Sequence, residues 1–196
     1  MLDGLSKKEN EKDLAERAIM GEAPAFGLLY DRYQPGIFRF IYLKVGHREE
    51  AEDLTHQVFL SAWQNINSFK DQGLPISSWL YRIARNKVID HYRTKKNLID
   101  IEKVTEEVVV EEKAGEETIK KMEIEVVYQS LSKLTPDQQE IIILRFVEEL
   151  SYEEISKIIG KNQGAIRVLQ FRAIRKLKKM IGKKENNQDN QWKPKD

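Results

Sequence analysis

The segment Ser151–Lys179, SYEEISKIIGKNQGAIRVLQFRAIRKLKK, is rich in arginine and lysine. Such cations can bind DNA when a helix presents them. No acidic residue interrupts the chain from Ile155 to Lys184, although arginine and lysine recur throughout. An arginine can donate two hydrogen bonds to the edge of a guanine, and lysine suits the phosphate backbone. We therefore expect this segment to bind double-stranded DNA.

Two helices and a tight turn are needed to present those cations. Ser151 and Glu154 form a capping-box pattern at the start of the first helix, and Gly160 permits the left-handed conformation of a turn residue. A second helix is predicted from near Gln163, and its buried stripe would comprise Ile166, Leu169, Ala173 and Leu177. This is the spacing of a helix-turn-helix, whose second helix enters the major groove by its N-terminal end. The residues expected to face DNA lie off the stripe: Arg167, Val168, Phe171, Arg172 and Arg175.

An ordinary helical hairpin with a solvated basic face is the alternative interpretation of this segment. The capping box, the turn glycine and the apolar spacing agree with one another, however, and the basic run has no compensating acids. DNA binding is therefore the favoured prediction.

A second candidate surface for nucleic acid lies in the segment SSWLYRIARNKVIDHYR. Aromatic residues interleaved with cations are typical of proteins that bind single strands, because bases stack on the rings while cations meet the phosphates. Trp79 is better explained as a core residue. Asparagine is a poor helix-interior residue and can read a base that has left the stack, so Asn86 is favoured as a contact. The residues expected at this surface are Tyr81, Arg82, Arg85, Asn86 and Lys87.

The composition argues against several other classes of function. The chain has 196 residues, a net charge of +1 and no cysteine, which excludes disulfides and thiolate chemistry. Its histidines, His47, His56 and His91, are too scattered to suggest a metal site, and we find no Gly-rich phosphate loop or nucleophile–base pair. We therefore expect neither an enzyme nor a bound cofactor. The N-terminal segment has no apolar signal core and no apolar run approaches the length of a membrane span, so we expect a cytoplasmic protein without membrane insertion.

Helical periodicity dominates the first part of the chain and predicts a small helical domain over residues 10–94. Pro35 is expected to kink or split the second helix of this domain. Ser77 or Ser78 is expected to cap its last helix.

The rest of the chain is predicted to hold a linker and a second helical domain, which makes the fold all-α. Residues 95–120 are rich in acids and lack aromatics, as is typical of a flexible acidic linker. The second domain is expected over residues 121–184, with Thr135 capping one of its helices, and residues 185–196 form a polar tail.

Three segments, AEDLTHQVFLSAW, FKDQGLPISSWLYRIARNKVIDHYR and the terminal hairpin, resemble bacterial sigma factors of the sigma-70 superfamily. The two-domain layout is similar to that of the extracytoplasmic-function (ECF) group, and the resemblance covers roughly Leu14 to Met180. It implies a region 2-like helical bundle and a region 4-like helix-turn-helix in a non-enzymatic subunit of RNA polymerase that directs promoter recognition and transcription initiation. The implied partners are the clamp and flap regions of core RNA polymerase, promoter DNA and a possible anti-sigma factor.

The resemblance also implies roles for particular residues. Asn86 would capture a flipped base of the minus-ten element, and the terminal helix would read the minus-thirty-five element. The turn of the hairpin departs from the family at Lys161, where an apolar residue is usual. In the polymerase-binding helix, His56 and Gln57 stand where glutamine and then glutamate are usual. That helix would contribute Asp53, Leu54, His56, Gln57 and Phe59.

Two alternatives remain open at the level of the sequence. The acidic linker could mimic the charge of the transcript in the RNA channel of the polymerase, or it could be a spacer that keeps two domains at high effective concentration. The chain could also be a two-domain helix-turn-helix transcriptional regulator that binds DNA without acting as a polymerase subunit. Binding to core polymerase distinguishes a sigma factor from such a regulator.

Overall fold

The computed structural model describes residues 10–69, 75–99 and 127–189, and throughout these ranges the regular structure is helical, without a strand. This confirms the all-α prediction. In chain order the helices are α1 (Glu11–Ile19), α2 (Ala23–Val45), α3 (Arg48–Gln64), a 3₁₀ turn (Ile66–Ser68), α4 (Ile76–Ile99), a helical segment at 127–131, α5 (Pro136–Ile142), which continues as a π-helical turn (Ile143–Val147), α6 (Tyr152–Ile159) and α7 (Gln163–Asp189).

The chain divides into two compact units, one holding α1–α4 and the other holding α5 and most of the residues after 127. The helix α4 continues to Ile99, past the domain boundary expected at residue 94. Most of the predicted linker lies outside the described residues, as does the end of the predicted polar tail.

The first unit is a bundle in which α2 packs against α1, α3 and α4. Its core is apolar and its larger members are fully buried, among them Leu14, Leu29, Phe40, Ile41 and Leu80. Apolar residues at helical spacing along α3 and into the 3₁₀ turn are buried: Ala51, Leu54, Val58, Ala62 and Ile66. Removing this apolar surface from water is the main force that holds the four helices together.

The prediction that Pro35 kinks or splits the second helix is wrong in its stronger form, because α2 runs unbroken from Ala23 to Val45 with Pro35 inside it. A proline removes one backbone hydrogen bond and crowds the preceding turn. Here Pro35 is exposed, while Leu29 before it and Ile37 after it are buried. Burial on both sides therefore keeps the helix continuous through Pro35.

The N-terminus of α4 is capped by a residue of another helix, which corrects the prediction for Ser77 and Ser78. Both serines are buried within the first turn, since α4 already begins at Ile76. The backbone N–H of Ile76 instead donates a 2.7 Å hydrogen bond to Glu11 Oε1 of α1. Glu11 also hydrogen-bonds Tyr33 of α2, and burial together with this bond raises the pKa of the Tyr33 hydroxyl well above its ordinary value.

The second unit begins its helices with the predicted caps. Thr135 caps α5 and Ser151 caps α6, and each forms a complete capping box with the residue three positions on. Gly160 ends α6 in the left-handed region at φ 76°, and α7 begins at Gln163. The helix-turn-helix prediction is therefore confirmed in its local geometry.

The packing of this hairpin also follows the predicted stripes. The inward-facing isoleucines of α6 are buried, and so are the first and third residues of the α7 stripe, whereas Leu169 and Leu177 are half-buried. Lys161 in the turn does not disturb it. Its Nζ lies 3.3 Å from Asp137 Oδ2 at the start of α5, and its carbonyl accepts a 2.7 Å hydrogen bond from Ser156 Oγ.

Candidate nucleic-acid interface

The second helix of the hairpin exposes every residue that was expected to face DNA. Arg167, Arg172 and Arg175 are exposed cations spaced along one side of α7. Between them Val168 and Phe171 expose 49% and 67% of their surface, which is unusual for large apolar side chains on a packed helix. The helix therefore offers a surface that is both cationic and apolar, and both properties have counterparts in the major groove.

The first arginine of this surface is stacked on an aromatic ring. The guanidinium carbon of Arg167 lies 4.7 Å from the ring centroid of Tyr152, the first residue of α6. A second arginine, Arg145, places its guanidinium carbon 5.1 Å from the same centroid. Both distances are within the range of a cation–π interaction. Tyr152 and Arg145 were not singled out from the sequence, because the three residues meet only once the hairpin has formed.

One of the lysines that follow on α7 has a partner within the protein. Lys176 Nζ donates a hydrogen bond to the carbonyl oxygen of Lys133, which follows the helical segment at 127–131. A cation at that place also interacts favourably with the C-terminal end of the helix.

The helix α4 exposes part of the expected single-strand surface. Arg82 and Asn86 are exposed one turn apart, and Ile89 and Arg93 continue the same face. Arg93 pairs with Asp90 at 3.1 Å, and Arg85 is half-buried. The structure thus brings a cation and the candidate base-reading amide together on one side of α4.

Tyr81 lies in the core rather than at the surface, which corrects its expected role as a stacking platform. Only 5% of the residue is exposed, and its ring meets that of Phe40 edge-on with 5.6 Å between centroids. A base cannot stack on a ring that is already enclosed. Lys87 also lies apart from the Arg82–Asn86 face, because it lines a groove of about 500 Å³ beside Leu54 and Gln57 of α3.

The helix α3 exposes only some of the residues assigned to polymerase binding. Asp53, His56 and Gln57 are exposed. Leu54 and Phe59 are 5% and 4% exposed, so they are core residues that hold the helix in place. The Phe59 ring packs edge-on against that of Tyr30 with 4.7 Å between centroids.

Sequence reasoning missed an exposed apolar residue on the same face of α3. Leu60 is 58% exposed and follows His56 by one helical turn. The signal was present, because Leu60 stands outside the apolar stripe that packs into the core. Exposed leucines are common singly, but one beside polar residues on a candidate interface adds apolar contact area.

An ionic cluster fixes α3 against α4. Glu50 Oε1 accepts a 3.1 Å hydrogen bond from Lys95 Nζ, and His91 Nε2 lies 3.1 Å from Glu50 Oε2. Burial opposes the ionisation of Glu50. The hydrogen bond from Lys95 and the nearby charges outweigh that effect and hold the pKa of the Glu50 carboxyl below its ordinary value. The acidic start of α3 therefore does more than complement the helix dipole.

Within the described ranges, no group of three or more potential ligand side chains has the arrangement of a metal site. Among the same residues, no helix combines the length and the apolar character needed to cross a membrane.

Comparison with known proteins gives matches to two family models. The model described as Sigma-70 region 2 matches residues 29–98, and the model described as Sigma-70, region 4 matches residues 130–179. The first match covers most of α2 and the helices α3 and α4, and the second covers α5, α6 and most of α7. The first match therefore includes the candidate surfaces of α3 and α4, and the second includes that of α7.

Curated relatives and solved structures agree with these matches. The chain is 39% identical over 173 residues to the ECF RNA polymerase sigma factor BldN of Streptomyces coelicolor, covering 86% of this chain and 65% of that protein. It is 31% identical over 171 residues to the ECF RNA polymerase sigma factor SigW of Bacillus subtilis, covering 82% of this chain and 91% of that protein. The sigma factor RpoE of Bartonella quintana, solved in complex with the anti-sigma factor NepR, matches with a TM-score of 0.67 at 26% identity and covers 80% of this chain and 96% of that one.

Proposed function

Since the chain belongs to the sigma-70 family of RNA polymerase sigma factors, in its ECF group, we propose that its two helical units divide promoter recognition between them. A sigma factor is a specificity subunit, and the catalysis of transcription belongs to the polymerase. We assign the first unit, residues 10–99, to polymerase binding and to the minus-ten element. We assign the second unit, from about residue 121 to the end of α7, to the minus-thirty-five element.

The observation that carries the first assignment is the exposure of Arg82 and Asn86 one turn apart on the same face of α4. An asparagine amide can donate to and accept from the edge of a base that has left the stack, while an arginine one turn away meets the backbone phosphate. Unstacking a base costs a few kcal/mol, and capture on this face offsets that cost. Arg85 and Lys87 lie at its margins, and Tyr81 supports the helix from the core.

The exposed face of α3 is the proposed contact with core polymerase. Asp53, His56 and Gln57 provide polar groups, and Leu60 provides apolar area in their midst. The partner surface is the clamp of the polymerase, while the second unit would meet the flap. The acidic N-terminal turn of α3 has the wrong sign for a DNA contact, so a protein partner suits this face better.

The recognition helix α7 is the proposed reader of the minus-thirty-five element. Arg167, Arg172 and Arg175 can donate to guanine edges or to phosphates, and Val168 and Phe171 lie exposed between them. Phosphate contacts would supply salt-dependent affinity, and contacts to base edges would supply specificity.

Regulation by an anti-sigma factor in the cytoplasm completes the proposal. The Bartonella quintana relative was solved with such a partner bound. Residues 100–118 carry eight acids and two lysines, and for this tether we retain both proposed roles, mimicry of the transcript and the maintenance of high effective concentration.

Reconstitution with core RNA polymerase tests the division of labour. Asn86→Ala should leave polymerase binding intact and reduce promoter opening about tenfold, because a lost amide–base contact costs about 1–3 kcal/mol. Opening is measured by the fluorescence of 2-aminopurine placed in the minus-ten element, and binding to core polymerase by titration. Asp53→Lys is the contrasting variant, which should weaken the binding of the protein to core polymerase. Normal opening by the Asn86 variant contradicts base capture, and an unaffected complex with the Asp53 variant contradicts the α3 contact.

A further inference from the structure

The ring of Tyr152, at the start of α6, contacts the guanidinium of Arg167 in α7 and so links the two helices of the hairpin. Arg167 of α7 and Arg145 of the preceding π-helical turn both stack on this ring, at 4.7 Å and 5.1 Å from its centroid. The face of an aromatic ring is electronegative, so it favours a guanidinium over a neutral neighbour. Two cations on one ring also repel each other, and an approaching phosphate relieves that repulsion.

Tyr152, on whose ring Arg167 stacks, lies in a constrained segment of the backbone. Tyr152 follows the capping residue Ser151, so its main chain is held by the first turn of α6. Arg145 donates a 2.9 Å hydrogen bond from Nη1 to the carbonyl oxygen of Leu150. Between them Glu149 adopts a φ of 57°, a conformation that non-glycine residues rarely take and that tightens the connection. Tyr152 and Arg145 are therefore both held by the same constrained turn.

The long side chain of Arg167 is supported by this ring. It lies in the second turn of α7, near the end that enters the major groove in a helix-turn-helix. An exposed arginine samples many rotamers, and ordering it on binding costs conformational free energy. Stacking in the free protein removes part of that cost before DNA arrives.

We propose that Tyr152 is a positioning residue for Arg167 and thereby a determinant of recognition of the upstream promoter element. The inference rests on the proposed function, in which α7 reads the minus-thirty-five element. The required chemistry is an aromatic face and not the hydroxyl, so phenylalanine can replace tyrosine and leucine cannot.

The test is a double-mutant cycle in holoenzyme reconstituted from the full chain and core RNA polymerase. A duplex promoter selected from a library randomised in the upstream element serves as the probe, and its dissociation constant is measured. Tyr152→Leu should weaken binding about threefold, equivalent to about 0.7 kcal/mol, and Tyr152→Phe should restore it. In an Arg167→Ala background Tyr152→Leu should have no further effect, whereas in an Arg172→Ala background its full effect should persist.

The outcomes separate this inference from the function on which it rests. Equal losses from Tyr152→Leu in the Arg167→Ala and Arg172→Ala backgrounds would show that Tyr152 acts only through general stability, and the inference is then wrong while promoter recognition stands. Tighter binding by Tyr152→Leu overturns it in the opposite sense, because the ring would then withhold the arginine from DNA. If Arg167→Ala itself does not weaken binding, Arg167 is not a DNA contact and the inference is wrong, while the other contacts of α7 stand. If wild-type holoenzyme selects no promoter, the assignment of α7 fails and the inference fails with it. Thermal unfolding of each variant reports any loss of fold directly.

Discussion

Two apolar side chains, Val168 and Phe171, lie exposed among the arginines of the proposed recognition helix. Water disfavours such exposure, and the hydrophobic residues of a small domain are ordinarily used in its core. The one apolar group on the base edges of the major groove is the C5-methyl of thymine. The two side chains are therefore suited to distinguish thymine from the other bases.

This assignment predicts a response to removal of a single methyl group from the DNA. Replacing the contacted thymine of the upstream element by deoxyuridine should weaken holoenzyme binding about fourfold, because about 0.8 kcal/mol is lost for each buried methyl-sized group. Phe171→Ala should bind both DNAs with the weaker affinity, so the difference between them disappears. Competition binding measures the ratio. A ratio of one for the wild-type protein at every thymine of the element would contradict the assignment.

At the same scale, Tyr81 and Phe59 show where sequence interpretation stops. Neighbouring residues on a helix point about 100° apart, so the periodicity that places Asn86 outside must place some near neighbours inside. The chain pattern identified the helix and the exposure of Arg82 and Asn86, whereas Arg85 and Lys87 are half-buried. Whether an aromatic residue at the edge of the stripe is enclosed depends on Phe40 and Tyr30, which are contributed by α2 and meet those rings only in the folded bundle.

At the scale of elements, α3 is attached to α4 by the ionic cluster around Glu50. A carboxyl with a lowered pKa in the folded state contributes stability that is fully present above its unfolded pKa of about 4.3. That contribution is lost as the pH falls through the lower, folded pKa. Because the Glu50 side chain is 33% exposed, solvent screens the interaction and its worth is modest.

Glu50→Gln should therefore destabilise the protein by about 0.5 kcal/mol near pH 6 and by less near pH 3, because the ionic contribution declines as the pH falls through the folded-state pKa of the Glu50 carboxyl. Urea unfolding at the two pH values measures the difference. Glu49→Gln is the matched control, since Glu49 is exposed in the same helical turn and should change stability little at either pH. A difference in the free energy of unfolding between the wild type and Glu50→Gln that grows towards pH 3 would contradict the ionic role of Glu50.

Helix starts illustrate which parts of an element can be predicted from its own sequence. The capping boxes at Thr135 and Ser151 were predictable, because the partners in each box lie three residues apart. The cap of α4 was not, since Glu11 and Ile76 are separated by 65 positions and meet only when α1 packs on the bundle. Pro35 is the opposite case, a local signal that the folded structure does not follow. Its local effect is to break a helix, and the packing of both halves of α2 overrides it.

At the scale of the whole molecule, the proposed function distributes promoter recognition over two small units. A single small module contributes limited interface area, and its affinity for DNA falls steeply with salt. Covalent connection converts the second binding event into an intramolecular one, with an effective concentration that reaches the millimolar range for a short flexible linker. The connection between the units should thus contribute to promoter binding without touching DNA.

Cutting that connection gives the corresponding prediction. With a protease site inserted within residues 105–118, cleavage should reduce initiation at nanomolar protein concentration by tenfold or more, because the second unit must then bind as a separate molecule. Raising both fragments to micromolar concentration should restore initiation, since the contacts themselves are unchanged. Run-off transcription from a selected promoter measures the effect, and the uncut insertion variant controls for the added residues. If the cleaved protein initiates fully at nanomolar concentration, each unit must hold the polymerase and promoter strongly enough alone, and the tether has no part in promoter affinity.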